Sequence, residues 1–227
     1  MVTDLQLYII IVVAILLMAL IIALVMYGLE SISVMELWDY ESWSEPFGYA
    51  LLITFILVTM SFFQIVLING DFKASINFTG VVVPLAVAFY LLVRRKVTVR
   101  NAAISMCVVA LISFPLVALR GGQVVIDFPW WLLPAGAAAA MAWLLTDGNL
   151  EKALPLAYIA GSVGMLLGGD LIRLLIYPGD LTEVYLGANG MLDFVFLGGI
   201  IACGLLIGVV ATVYMARKLV SRIPEMG

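Results

Sequence analysis

The sequence contains no histidine at all. That excludes serine–histidine hydrolases, the His-Glu-x-x-His zinc proteases and any metal centre built on imidazole. Charge is nearly as scarce: 11% of the 227 residues are charged, against roughly 25% in soluble domains. The eleven Lys and Arg residues make no basic surface suited to nucleic acid. The two cysteines, Cys107 and Cys203, both lie in apolar runs, so a disulfide framework is not expected. What remains is apolar: 65% of the chain is hydrophobic. A soluble fold has nowhere to put that much apolar surface, so the bilayer is the natural solvent.

The hydropathy pattern predicts an all-α, polytopic helical transmembrane bundle with about seven spans, in a single domain over residues 1–227. The expected spans are about 5–29, 47–69, 76–93, 102–119, 131–146, 153–177 and 191–215. The first lacks a basic leader and is too long for a signal-peptide core, so it reads as a retained span. Residues 30–46 carry five acids, no base, and Trp38, Tyr40 and Trp43. They read as an acidic loop or interfacial helix anchored by aromatics. The fifth span is short and Ala-rich, which suits close packing inside the bundle.

Lysine and arginine set the orientation. With the Arg94–Arg100 cluster in the cytoplasm, eight bases lie inside and three outside. The positive-inside rule then places the N-terminus outside and the C-terminus in the cytoplasm of a plasma-membrane protein.

Two acids fall within the expected spans, Asp170 in the sixth and Asp193 in the seventh. A carboxylate in hydrocarbon is costly unless it is paired, neutralised or facing a polar cavity. The two helices are consecutive and antiparallel, and both acids lie toward the same side, so a facing carboxylate pair is geometrically allowed. Helix phase places Ala157, Gly161, Gly164 and Gly168 on one small-residue stripe, with Asp170 roughly opposite Gly161. On the last span Gly190, Asp193, Gly204, Gly208 and Ala211 share a stripe, read as its packing face. Two close carboxyls share one proton: one activates water and the other protonates the scissile group. The competing reading has Arg173, three residues after Asp170, neutralising it, while Asp193 complements a helix dipole.

At these residues the sequence resembles a prokaryotic membrane-protein family known as domain of unknown function 1614. The matching stretches are INFTGVVVPL at residues 76–85, AYIAGSVGMLLGGDL at 157–171 and GMLDFVFLGGI at 190–200. On this reading the likeness runs from the third span onward. The last stretch also resembles the Gly-x-Gly-Asp motif of presenilin and signal-peptide-peptidase proteases. That resemblance implies an aspartyl dyad of Asp193 and Asp170, supported by Gly168, Gly169, Gly190 and Pro84. The chain departs from the motif: Leu192 stands at its second glycine, Gly169 at the usual tyrosine, and no later Pro-Ala-Leu follows.

Three functions are therefore carried forward. The first is an intramembrane aspartyl-protease-like hydrolase acting on a transmembrane peptide, with no metal and no cofactor. The second is a small transporter or channel using Asp170, Asp193 and Asn69 or Asn77 as ligands. The third is a non-catalytic scaffold. The lipid bilayer is the expected partner in all three, and homo-oligomerisation is left open.

Overall fold

The structure, a computed structural model, describes residues 44–69, 73–94, 97–120, 123–127, 129–172, 176, 183–190 and 193–220. The first expected span, the acidic segment up to residue 43, and Arg173 lie outside them.

Six α-helices are present among the described residues: α1 (Ser44–Met60), α2 (Val83–Val93), α3 (Val99–Ser113), α4 (Leu132–Leu145), α5 (Leu150–Met165) and α6 (Phe194–Val220). Side-chain caps start α3, α5 and α6, the last by a residue of the site described below. Thr98 accepts the Asn101 N–H at 3.3 Å ahead of α3, and Asn149 accepts the Lys152 N–H at 3.2 Å ahead of α5. Asp147 (φ 53°) and Gly148 (φ 73°) make the tight turn between α4 and α5. Asn149→Ala should destabilise the fold by about 1 kcal/mol, the usual worth of an N-cap. A detergent-denaturation curve coincident with the wild type would refute it.

Three segments are long and apolar enough to cross a membrane: Val99–Leu116, Leu150–Leu171 and Phe194–Val213. The helices within Tyr49–Met60, Phe78–Val93 and Leu132–Leu145 are apolar but shorter. The 14 residues of α4 extend about 21 Å at 1.5 Å per residue, short of a hydrocarbon core about 30 Å thick. As its composition predicts, α4 buries Pro134, Ala135, Ala138, Ala139 and Ala142 in the bundle.

The departure from an all-α bundle is a five-stranded sheet, ordered β1-β2-β5-β4-β3. Its strands are β1 (Gln64–Asn69), β2 (Lys73–Asn77), β3 (Val117–Arg120), β4 (Gln123–Ile126) and β5 (Glu183–Leu186). β1 and β2 form an antiparallel hairpin with a bulge at Val66/Ile68, and β3 and β4 form a second. β5 runs parallel to β2 and meets β4 at Gln123↔Tyr185. The expected second span thus divides into α1 and β1, the third into β2 and α2, and the fourth into α3 and β3. A short apolar run such as Ile65–Ile68 has no period that separates strand from helix, and its β-branched residues favour the strand. Pro115 ends α3 near Ser113, because proline lacks the N–H and crowds the preceding turn.

α5 lies at the centre. Of its membrane-length window 78% is buried, against 28% for α3 and 44% for α6. Its glycines allow this. Gly161 lies against the Gly198 carbonyl and Ala202 of α6, and Gly164 against Val109 of α3. The small stripe read on α5 is therefore a packing face. The stripe read on α6 packs only at its start, where Gly190 and Asp193 are buried. Gly204 and Gly208 are exposed with open space around them, while Val195, Gly198, Gly199, Ala202, Cys203 and Leu206 face the core. The glycine positions alone misdirected that phase; the contacts with Met165, Gly161 and Tyr158 of α5 decide it.

Candidate functional site

α5 does not end at Met165. It passes into a π-helical segment, Leu166–Leu171, which carries Asp170. The wider hydrogen-bond step changes the phase that an α-helix would give. Leu166, Gly168, Gly169 and Asp170 are all buried together. Asp170 is thus buried with its neighbours, at the end of a central helix that is covered on several sides. π-Segments inside α-helices recur at functional sites.

Gly168 and Gly169 make this arrangement possible. A β-carbon on Gly168 would strike the backbone of Ala110 in α3. One on Gly169 would come within 2.8 Å of the Phe194 ring, at the first turn of α6. Phe194 thus packs against the turn that carries Asp170, directly beside Asp193 in the chain, a contact that sequence gave no means of seeing.

Asp193 starts α6. Its Oδ1 accepts the Val195 N–H at 3.0 Å, and its carbonyl accepts the Leu197 N–H at 2.9 Å. This is the geometry of an N-cap. The backbone N–H of Asn189 also faces the carboxyl. Ahead of it, Gly187 and Gly190 have φ of 65° and 59°, and the Gly190 N–H donates to the Gly187 carbonyl at 2.9 Å. The signal was present in the sequence as Asn189-Gly190, a turn dipeptide.

Asp170 and Asp193 are each 1% exposed, and each lies within electrostatic reach of the other. The two differ in their bonding. Asp193 is held by backbone donors, whereas neither Asp170 oxygen makes a well-formed hydrogen bond among the described residues. The Gly187 N–H faces the Asp170 carboxyl. A buried carboxyl without partners is expensive, and each such group calls for an explanation.

Two further buried polar side chains, Asn77 and Thr79, lie at a second π-helical segment, Phe78–Val82, which follows β2. Asn77 is 2% exposed and Thr79 is fully buried. The Asn77 Oδ1 accepts the N–H groups of Thr79 (3.0 Å) and Gly80 (2.9 Å), and its Nδ2 donates to the Ser61 carbonyl at 2.7 Å. The Thr79 hydroxyl donates to the Leu57 carbonyl at 3.0 Å. Asn77 is thus committed to the backbone, and is lost as the free ligand that a transporter reading would use. The side chain of Asn69 lies outside the described residues.

Parallel pairing of β2 with β5 sets Ile76 beside Leu186. The chains then continue side by side, so that Gly80 rests on the backbone of Gly187. Pro84 is buried in the first turn of α2, where its missing N–H costs nothing. Its neighbour Val83 packs against the Ala50, Phe196 and Ile200 cluster. Three stretches far apart in sequence, around Gly80, Gly169 and Gly190, therefore meet beside the two carboxyls. No group of three or more His, Cys, Asp or Glu side chains that could hold a metal gathers among the described residues.

No curated protein and no solved structure matches the chain. The family model described as "Protein of unknown function (DUF1614)" matches residues 17–206. The match begins within the first expected span, so it extends further toward the N-terminus than the three motif stretches suggested. Covering most of the chain, it shows that this protein belongs to the DUF1614 family.

Proposed function

We propose that this protein is an intramembrane aspartyl-protease-like hydrolase, with Asp170 and Asp193 as its dyad and a transmembrane peptide as its substrate. The observation that carries the reading is the pair itself: two buried carboxyls within electrostatic reach of each other, one of them without a well-formed hydrogen bond among the described residues. Ionising both in such a place sets like charges side by side, so the pair holds one proton between them.

The chemistry follows from that proton. The ionised carboxyl takes a proton from water as the water oxygen bonds to the peptide carbonyl carbon. The protonated carboxyl gives its proton to the carbonyl oxygen, forming a gem-diol. In collapse, the C–N bond breaks as the protonated carboxyl gives its proton to the nitrogen and the ionised carboxyl takes one from a gem-diol hydroxyl, so acid and amine leave and the dyad again holds one proton. Gly168 and Gly169 let the acidic turn approach α3 and α6, Gly190 turns the chain into Asp193, and Pro84 fixes the helix after the Asn77 turn. The likeness of residues 190–193 to the Gly-x-Gly-Asp motif supports the same reading. The protein lies in the plasma membrane with its N-terminus outside and C-terminus in the cytoplasm, an orientation supported by the basic residues.

The Asp193 cap favours a second reading, in which the acids serve the fold alone. Asparagine separates the two, because it caps a helix as well as aspartate does. In proteoliposomes containing a transmembrane reporter peptide, Asp193→Asn should stay folded and stop cleaving. Infrared spectra should also show a protonated-carboxyl band at neutral pH that disappears in Asp170→Asn. Wild-type cleavage by both single variants would leave the structural reading standing.

A further inference from the structure

We infer that Asn77 is the positioning residue of the carboxyl pair, an inference that rests on the dyad reading above. Its amide does two things at once. Oδ1 gathers the Thr79 and Gly80 N–H groups and so shapes the turn on which Gly187 sits. Nδ2 fixes the carbonyl of Ser61, and Ser61 is the residue against which Gly190 packs.

From these two seats, separate paths lead to the two acids. Gly187 presents its N–H toward Asp170. The Gly190 carbonyl accepts the Asp193 N–H at 3.1 Å, which sets where α6 and its cap begin. One buried amide therefore ties together the supports of both carboxyls, although it touches neither. The Phe78 N–H to the Phe63 carbonyl (3.0 Å) and the Thr79 hydroxyl to Leu57 brace the same turn against the end of α1. Such bracing has a purpose if two groups must share a proton, since reacting geometry has to be held within about 0.5 Å.

The test uses the full chain in proteoliposomes with the transmembrane reporter peptide. Asn77→Ser keeps an N-capping oxygen but is too short to hold Ser61 as well. It should fold like the wild type, lose about 10- to 100-fold in kcat, the scale of a small misplacement, and leave KM within about twofold, since substrate contacts are untouched. Gly80→Ala keeps Asn77 but drives a methyl into Gly187, and should give the same kcat loss. Both should move the frequency of the protonated-carboxyl infrared band, which a remote packing defect leaves in place. Wild-type kcat and an unmoved band in Asn77→Ser would overturn the inference. So would a rate loss matched by lost folded protein. If Asp170→Asn and Asp193→Asn are inactive while Asn77→Ser is not, this inference alone falls. If those aspartate variants cleave normally, the dyad reading falls and takes it along.

Discussion

Asp170→Asn is expected to lower cleavage by about 10²-fold or more, the usual contribution of a positioned acid or base. Asp193→Asn should do the same, and the double variant should be little worse than either single one. A dyad acts as a unit, so removing its second member after the first takes away almost nothing further. Independent roles would instead multiply. The arrangement also predicts a contrast in stability. Asp193→Asn retains the acceptor for the Val195 N–H and should fold normally, whereas Asp193→Ala should cost about 1 kcal/mol for the lost cap. Asp170→Asn has no well-formed hydrogen bond to lose among the described residues, and the amide fills nearly the same space as the carboxyl that it replaces. It should therefore be at least as stable as the wild type. A double variant that cleaves at the wild-type rate would end the catalytic reading. Single variants that lose activity only by unfolding would hand both residues to the fold.

The second large effect is steric. Gly168→Ala should destabilise the bundle by about 3 kcal/mol, the upper end of the range for overpacking. The added methyl meets the carbonyl, Cα and carbonyl carbon of Ala110, and backbone cannot step aside by changing rotamer. α3 would have to withdraw from α5, or the π-helical turn that carries Asp170 would have to reopen. Gly204→Ala and Gly208→Ala supply the control. Both positions lie in open space on the outer side of α6, so alanine should leave stability unchanged or raise it by up to about 1 kcal/mol through helix propensity. Detergent-unfolding titrations of the three variants would decide the matter. Equal midpoints for Gly168→Ala and Gly204→Ala would mean that α3 and α5 do not approach as closely as the structure has them.

The contrast among these glycines shows where reading the sequence stops. Small residues at helical spacing marked α5 correctly, because Gly161, Gly164 and Gly168 all meet neighbouring backbone or side chains. The same rule failed on α6, where Gly204 and Gly208 share Asp193's stripe but meet nothing. A glycine permits close approach; only a neighbour makes it occur. The pairing alternative for Asp170, Arg173, lies outside the described residues, so that comparison stays where the sequence left it.

Asn77 illustrates a different limit. Nothing in its spacing distinguishes an amide that coordinates a ligand from one that caps a turn. Its bonds to Thr79 and Gly80 are local, whereas the one to Ser61, sixteen residues away, exists because β1 and β2 fold back as a hairpin. The sheet was hidden for a related reason. A run such as Ile65–Ile68 is as apolar as a membrane helix, and it needs a partner strand before its backbone shows which it is.

By itself the sequence determined how apolar the chain is and which chemistry it lacks. Its 65% hydrophobic composition supplies helices long and apolar enough to cross a membrane, and the absence of histidine excludes imidazole chemistry. It also singled out Asp170 and Asp193, because an acid in an apolar run stands out by cost alone. The tertiary structure decided the rest. A π-helical turn carries Asp170 at the buried end of α5, a backbone step that composition does not encode. Parallel pairing of β2 and β5 then placed Gly187 on Gly80 and joined three distant stretches beside the two carboxyls. Such contacts are properties of pairing between segments, and a single sequence carries only each segment's readiness to make them.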